Sequence, residues 1–289
     1  MPVIFLPDRG IVAVAGADAR TFLNGLVTAD MDKVAPGKPA FAALLSPQGK
    51  ILCDFFVVEA DAAAGGGFYL DCPRVLADVL VQRLGRYRLR ARVGIDNMSA
   101  TLGVGAVVAP AQYDPEDWLP FVDPRLPALG TRLIGPREAL EAAGGDPVLY
   151  HRHRIGLVVP EGGKDFAYSD AFPHEVLMDQ LGGVDFHKGC YVGQEIVSRM
   201  EHRGTARTRI VRAVYDGGFA PSEGVDVFVG ERIIGKTGSQ AAGAGLATIR
   251  IDRYADAVAA GQPVMAGGIG LTAEVPPYAR FAITSGEGA

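Results

Sequence analysis

Cysteine is scarce in this chain of 289 residues, which holds only Cys53, Cys72 and Cys190. Three cysteines make no disulfide framework, and so low a number points to a reducing compartment. None of the spacings forms a Cys-x-x-Cys pair, which excludes the ligand runs of structural zinc and iron–sulfur sites; no metal ligand set is expected. Long apolar runs are missing too. No window approaches the roughly 18 residues needed to cross a membrane. The opening Met1-Pro2-Val3-Ile4-Phe5-Leu6-Pro7-Asp8-Arg9 lacks the basic lead and the apolar length of a signal peptide. Excess positive charge is also absent. With 28 basic and 33 acidic residues the net charge is −5, which argues against direct nucleic-acid or membrane binding. The default expectation is a cytoplasmic protein.

Glycine and proline are plentiful, at 38 and 19 residues, and imply many turns. Val3 to Leu6 and Ile11 to Ala15 read as short strands joined by a Pro-Asp-Arg-Gly turn. Asp18 to Val27 reads as a helix with Phe22, Leu23 and Leu26 on one face. Ala40 to Leu45, Lys50 to Glu59 and Phe68 to Asp71 read as strands, the first two joined at Ser46-Pro47-Gln48-Gly49. Residues 62–67 form a flexible tip. Pro73 opens a helix to about Leu84. Ala91 to Met98 and Thr101 to Val108 are strand-like, Tyr113 to Thr131 is a proline-rich, strand-containing loop region, and Pro147 to Gly156 is a helix. Gly162 to Pro173 is an irregular loop. This order favours an antiparallel α+β fold. From about Arg207, short strands at close spacing suit a small β-barrel or sandwich. The expected division is 1–204, as two interleaved sub-domains, and 205–289.

One segment is not explained by any fold periodicity: Lys188-Gly189-Cys190-Tyr191-Val192-Gly193-Gln194-Glu195, continuing to Arg199. Two glycines free the backbone around the thiol. The nearby Lys188, the arginine beyond and a helix N-terminus near Gly193 all favour a thiolate. The alternative is a cysteine that merely packs, the reading adopted for Cys53 and Cys72. A cysteine hydrolase would need a histidine base, and neither His187 nor His202 stands at a known spacing. Glu195 and Arg199 are either a surface i,i+4 pair worth about 0.3–0.5 kcal/mol, or parts of a site. In a site, Glu195 and Gln194 would cap the cysteine loop, while Arg199 and Arg203 would bind a carboxylate. His202, Arg203, Arg207 and Arg209 form a basic cluster or a solvated face. Glu175 could accept two hydrogen bonds from an aminopyrimidine edge or simply start a helix.

Together these residues resemble the folate-binding YgfZ family, relatives of the glycine-cleavage aminomethyltransferase (T-protein). The resemblance rests on Lys188 to Glu195 with Arg199 and His202-Arg203-Gly204. It extends to Phe22-Leu23-Asn24-Gly25 with Thr28-Ala29-Asp30, to Leu45 through Leu52, and to Arg154-Ile155. It implies a ring of sub-domains around a central channel, with a C-terminal β-barrel. It further implies tetrahydrofolate in the channel, with Glu175, Tyr191, Gln194, Glu195, Arg199 and Asp54 as contacts and Cys190 with Lys188 as the reactive pair. The implied role is assembly or repair of iron–sulfur enzymes, tRNA-modifying ones included, with iron–sulfur carriers or clients as partners. Two departures count against aminomethyl transfer. Cys53 replaces one of two aspartates, leaving Asp54 on the opposite strand face, and Gly156 stands where the transferase has a glutamate. The alternatives are a folate-dependent one-carbon transferase and a non-catalytic folate-responsive adaptor.

Overall fold

The computed structural model describes residues 3–60, 66–108, 118–204 and 206–285. The chain divides into two units, each built from two stretches: Met1–His151 with Leu181–Gln194, and Arg152–Gln180 with Glu195–Ala289. The stretches interleave, and the second unit takes in Arg152–Gln180 and residues 195–204 from the 1–204 region that the sequence reading divides into two interleaved sub-domains.

The first unit holds two antiparallel sheets. Strands β2 (Arg9–Ala15), β3 (Ala40–Leu45), β4 (Ile51–Glu59), β5 (Phe68–Pro73) and β6 (Gly94–Asn97) form one in the order β3-β4-β5-β2-β6. Strands β1 (Ile4–Phe5), β7 (Leu102–Val107), β8 (Leu119–Val122) and β9 (Thr131–Pro136) form the other in the order β1-β7-β9-β8. The two opening strands thus lie in different sheets, and the turn after Leu6 is a crossing point, not a hairpin. Helices α1 (Ala19–Asn24) and α2 (Ala77–Tyr87) cover the first sheet. Ala77, Leu80 and Leu84 of α2 share its core with Leu23, Phe55, Leu70 and both Cys53 and Cys72. Pro73 ends β5 instead of opening α2, and a short 3-10 turn separates them. Helix α3 (Arg137–Ala142) packs Leu140 against Val3, Val107 and Leu133 of the second sheet. Helix α4 is Pro147–Gly156, as its sequence suggested. Part of the expected loop region at 113–131 and most of the expected tip at 62–67 lie outside the described residues.

A buried ionic network ties the two sheets together. Asp71 on β5 accepts from Arg9 at 2.7 Å and from Arg132 on β9 at 2.7 and 2.9 Å. Asp123 accepts from Arg125 at 2.8 and 3.0 Å, and the Tyr150 hydroxyl accepts from Arg125 at 3.1 Å and from Arg132 at 2.9 Å. The Arg125 and Arg132 guanidiniums lie over the Phe56 ring at 4.8 and 4.4 Å. Buried charges are tolerated only when paired in this way.

The second unit carries a closed six-stranded barrel of β10 (Thr208–Tyr215), β11 (Asp226–Val229), β12 (Arg232–Ala241), β13 (Ala244–Arg250), β14 (Val264–Ala266) and β15 (Ile269–Glu274), in the order β10-β13-β12-β11-β14-β15. Helix α5 (Gln194–Arg203) precedes it, and α6 (Ile251–Ala259) buries Ile251, Tyr254 and Ala257 against the barrel core. The α+β reading and the barrel hold. The elements β9, α3, β14 and α6 were not visible in the sequence.

Candidate functional site

The segment Leu181–Gln194 has no regular structure before its last residue, so its shape comes from what holds it. Thr28, wholly buried, is the first anchor. Its hydroxyl donates to the Gly183 carbonyl at 2.6 Å and accepts from the Ala43 N–H at 2.8 Å. Its carbonyl accepts from the Asp185 N–H at 2.9 Å. Asp185 also pairs with Lys33 and accepts from the His187 N–H at 2.9 Å. Burial raises its carboxyl, but Lys33 and the His187 N–H outweigh that and hold it below the usual carboxylate range.

Lys188 is the second anchor. Its ammonium is buried and donates to three carbonyls, Asn24 at 2.8 Å, Val27 at 2.7 Å and Ala29 at 2.7 Å. Three donors meet three acceptors, the full capacity of a lysine head. Asn24 closes α1, where a helix end leaves carbonyls without partners, and Val27 and Ala29 lie in the irregular stretch that follows it. Burial pushes the ammonium down to about 8, although Asp30, Asp185 and Asp32 pull it up. The Tyr191 ring lies 5.2 Å from the ammonium, and burial, helped by Asp185, pushes the Tyr191 hydroxyl up to about 12. The structure gives Lys188 a holding role that its place two residues before Cys190 did not announce. Its three N–H bonds are spent on the exit of α1, and its role is to hold the loop.

Gly193 is the third anchor. Its φ of +82° is a conformation that favours glycine. A Cβ there would sit 2.5 Å from the Ser46 carbonyl and 3.0 Å from the Leu45 side chain. The hairpin turn between β3 and β4 thus needs residue 193 bare. Between the second and third anchors, Cys190 is exposed, and a Cβ on Gly189 would meet open space. The loop presents one thiol on a clamped frame. The other two thiols are buried. Burial above all drives Cys53 well up and Cys72 up to about 12, so neither is a nucleophile near neutral pH.

The remaining predicted residues take local roles. Glu195 and Arg199 pair across one turn of α5 at 2.6 Å and are 82 % and 52 % exposed, so the surface-pair reading is the one observed. Gln194 opens α5, half-buried. Glu175 accepts from the Phe172 N–H at 2.8 Å and closes its own turn. Asp54 is buried on β4. Of the supposed basic cluster, His202 and Arg203 are exposed, while Arg209 is buried on Asp179 at 2.8 and 2.9 Å. Arg154, named in the sequence only as part of the Arg154-Ile155 stretch, proves to be a buried tie within the second unit. It binds Glu161 at 2.9 Å, Asp165 at 2.8 Å and the Ser239 hydroxyl at 2.8 Å, joining α4 and the following loop to β12.

Residues 207–281 match the C-terminal β-barrel domain of the CAF17 family. The mitochondrial iron–sulfur cluster assembly factor IBA57 homolog of Pyricularia oryzae is 33% identical over 292 residues, covering 90% of this chain and 75% of the relative. Mouse IBA57, also named mitochondrial, is 30% identical, with coverage of 85% and 76%. The Mycosarcoma maydis homolog is 33% identical, and the chain spans only 55% of its length. In structure, the chain resembles the glycine cleavage system aminomethyltransferase T of Bartonella henselae with a TM-score of 0.74, 15% identity, and coverage of 96% of this chain and 86% of that one. That likeness is one of fold, and it bears out the aminomethyltransferase-like architecture with its C-terminal barrel. The YgfZ resemblance is met at the level of the wider family. The cytoplasmic expectation is corrected, because the relatives are mitochondrial factors by name; scarce cysteine reports a reducing compartment without saying which one. With these extents of identity, the chain belongs to the IBA57/CAF17 family of iron–sulfur cluster assembly factors.

Proposed function

We propose that this protein supports assembly or repair of iron–sulfur enzymes through Cys190, whose thiolate binds iron or a cluster in passage between a carrier and a client. The observation that carries this reading is the contrast among the three thiols. Two are buried with raised proton affinity, and the third is exposed on a loop held at Thr28, Lys188 and Gly193. A clamped loop loses little further freedom when a partner binds, which favours a tight, oriented contact. The clients would include tRNA-modifying enzymes. Replacing Cys190 with Ser in cells that depend on this protein should abolish iron–sulfur enzyme activity while the purified variant melts as wild type. Full complementation by that variant refutes the thiol role.

Tetrahydrofolate binding is a second reading, favoured by the aminomethyltransferase-like fold. The residues named for it do not form a ready cradle. Glu175 closes its own turn, Arg199 is paired with Glu195, and Tyr191 faces inward beside Lys188. We therefore derive no step through folate. Calorimetric titration with tetrahydrofolate tests it, and absence of heat refutes both the folate ligand and the one-carbon transferase alternative.

A further inference from the structure

The exposed end of α2 breaks two local rules at once. The helix ends at Tyr87, and the chain turns through Arg88, Leu89 and Arg90. Leu89 has a φ of +42°, in the left-handed region that helix ends reserve for glycine or asparagine. It is also 90 % exposed, so burial gives no return for a leucine there. Neither backbone preference nor solvation selects this residue, and such violations concentrate at functional places.

Its neighbours point to a partner. Gly85 to Arg90 are all exposed, and Arg86, Arg88 and Arg90 have no ion pair among the described residues. Residues 74–92 contain six arginines against one aspartate, Asp78, in a chain whose net charge is −5. Asp78 is engaged by the Asn97 amide at 2.7 Å, and Arg92 is engaged by Asp18. Cations suit a helix C-terminus, which accounts for Arg86 and Arg88. It accounts for neither Leu89 nor Arg90. Tyr87, 40 % exposed, adds apolar area beside Leu89 at the end of the helix.

We propose that the turn Arg86 to Arg90 is a docking knob for a partner protein with an acidic surface around an apolar socket. Leu89 enters the socket and the three guanidiniums meet its carboxylate rim. Arginine and large apolar groups ringed by polar contacts are the anatomy of an interface hot spot. Phosphates of a nucleic acid would use the arginines but give no reason for a leucine at the tip. A bilayer would use the leucine but gains little from a single one.

The test uses the full chain and a labelled acidic amphipathic helical peptide with leucines along one edge, beside single-stranded RNA and anionic phospholipid vesicles. Leu89→Gly should leave the melting temperature unchanged or raise it, because glycine fits the backbone, while peptide affinity falls about tenfold or more. Reversal of the three arginines to glutamate should abolish binding. A melting temperature lowered by Leu89→Gly, or peptide binding indifferent to that change, overturns the proposal. So does RNA or vesicle binding that the arginine reversal removes, or self-association that Leu89→Gly removes, since each assigns the turn to another occupant.

Discussion

Replacement of Lys188 by Met is the sharpest test of how the thiol loop is held. Methionine keeps the length and apolar stem of lysine but donates no hydrogen bond. Three carbonyls, on Asn24, Val27 and Ala29, then lose their partner. Each buried acceptor left without a donor costs about 1–3 kcal/mol. Removing the ammonium returns its desolvation cost, of several kcal/mol, so the net loss should be about 2 kcal/mol. At about 2–4 °C per kcal/mol for a unit of this size, the melting temperature should fall by roughly 4–8 °C. Amide exchange across residues 186–193 should accelerate well beyond that of the β3–β4 hairpin, because local opening no longer breaks the clasp. The pH dependence has a definite sign. Burial sets the folded value at about 8, against an ordinary 10.5. Between those values the folded chain binds fewer protons than the unfolded chain, so Lys188 makes stability rise with pH across that window. The gap between wild type and Lys188→Met should widen from pH 8 to 10. Equal melting, equal exchange at 186–193, or a gap that narrows over that range refutes the clasp.

Two further outcomes follow from the same unit. Gly193→Ala forces a Cβ to 2.5 Å from the Ser46 carbonyl at a positive φ and should destabilise by about 2 kcal/mol or more; denaturant unfolding within 0.5 kcal/mol of wild type, on the order of a neutral surface change, argues against the third anchor. Asp123→Asn removes one acid from the buried network and should cost about 3 kcal/mol at neutral pH, because Arg125 is left buried without its charge partner. The Asp123 carboxyl is pushed up by burial, but Arg125 outweighs that and holds it below its ordinary 3.8. Its contribution is therefore complete above that value and is lost as pH falls through the lower, folded one. Acid titration of both proteins should bring their stabilities together below about pH 4; a constant gap rejects the ion-pair account.

The sequence revealed elements that carry their own signals. The Ser46-Pro47-Gln48-Gly49 turn announced β3 and β4, and alternating short strands announced the barrel. What stayed hidden was short or settled by distant partners. Helix α3 has six residues, too few to hold as an isolated helix. Helix α6 has a legible apolar stripe, Ile251, Tyr254 and Ala257, but it follows β13 without a break and reads as its tail. Arg154 was visible as part of the Arg154-Ile155 stretch but its buried role was not, because Asp165 and Ser239 become its neighbours only in the folded unit.

Sequence proximity suggested that Lys188 acts on Cys190 two residues on, whereas its ammonium bonds to carbonyls about 160 residues earlier. A signal was present. Helix α1 ends at Asn24-Gly25 with no basic residue in its last turn, so the Asn24 carbonyl at its end, with those of Val27 and Ala29 just beyond it, calls for a donor from elsewhere. A lone lysine in a glycine-rich segment is a natural supplier. Once Lys188 is explained by the exit of α1, Gly193 by the Ser46 turn and Glu195 with Arg199 by a solvated helix pair, Cys190 and the neighbouring Gly189 are left without an architectural reason. Cys190 contributes nothing to packing, and the structure around it is spent on keeping it outside. The chain buries its two other thiols and holds its third in the open, and that contrast is the ground on which the proposed thiol role stands or falls.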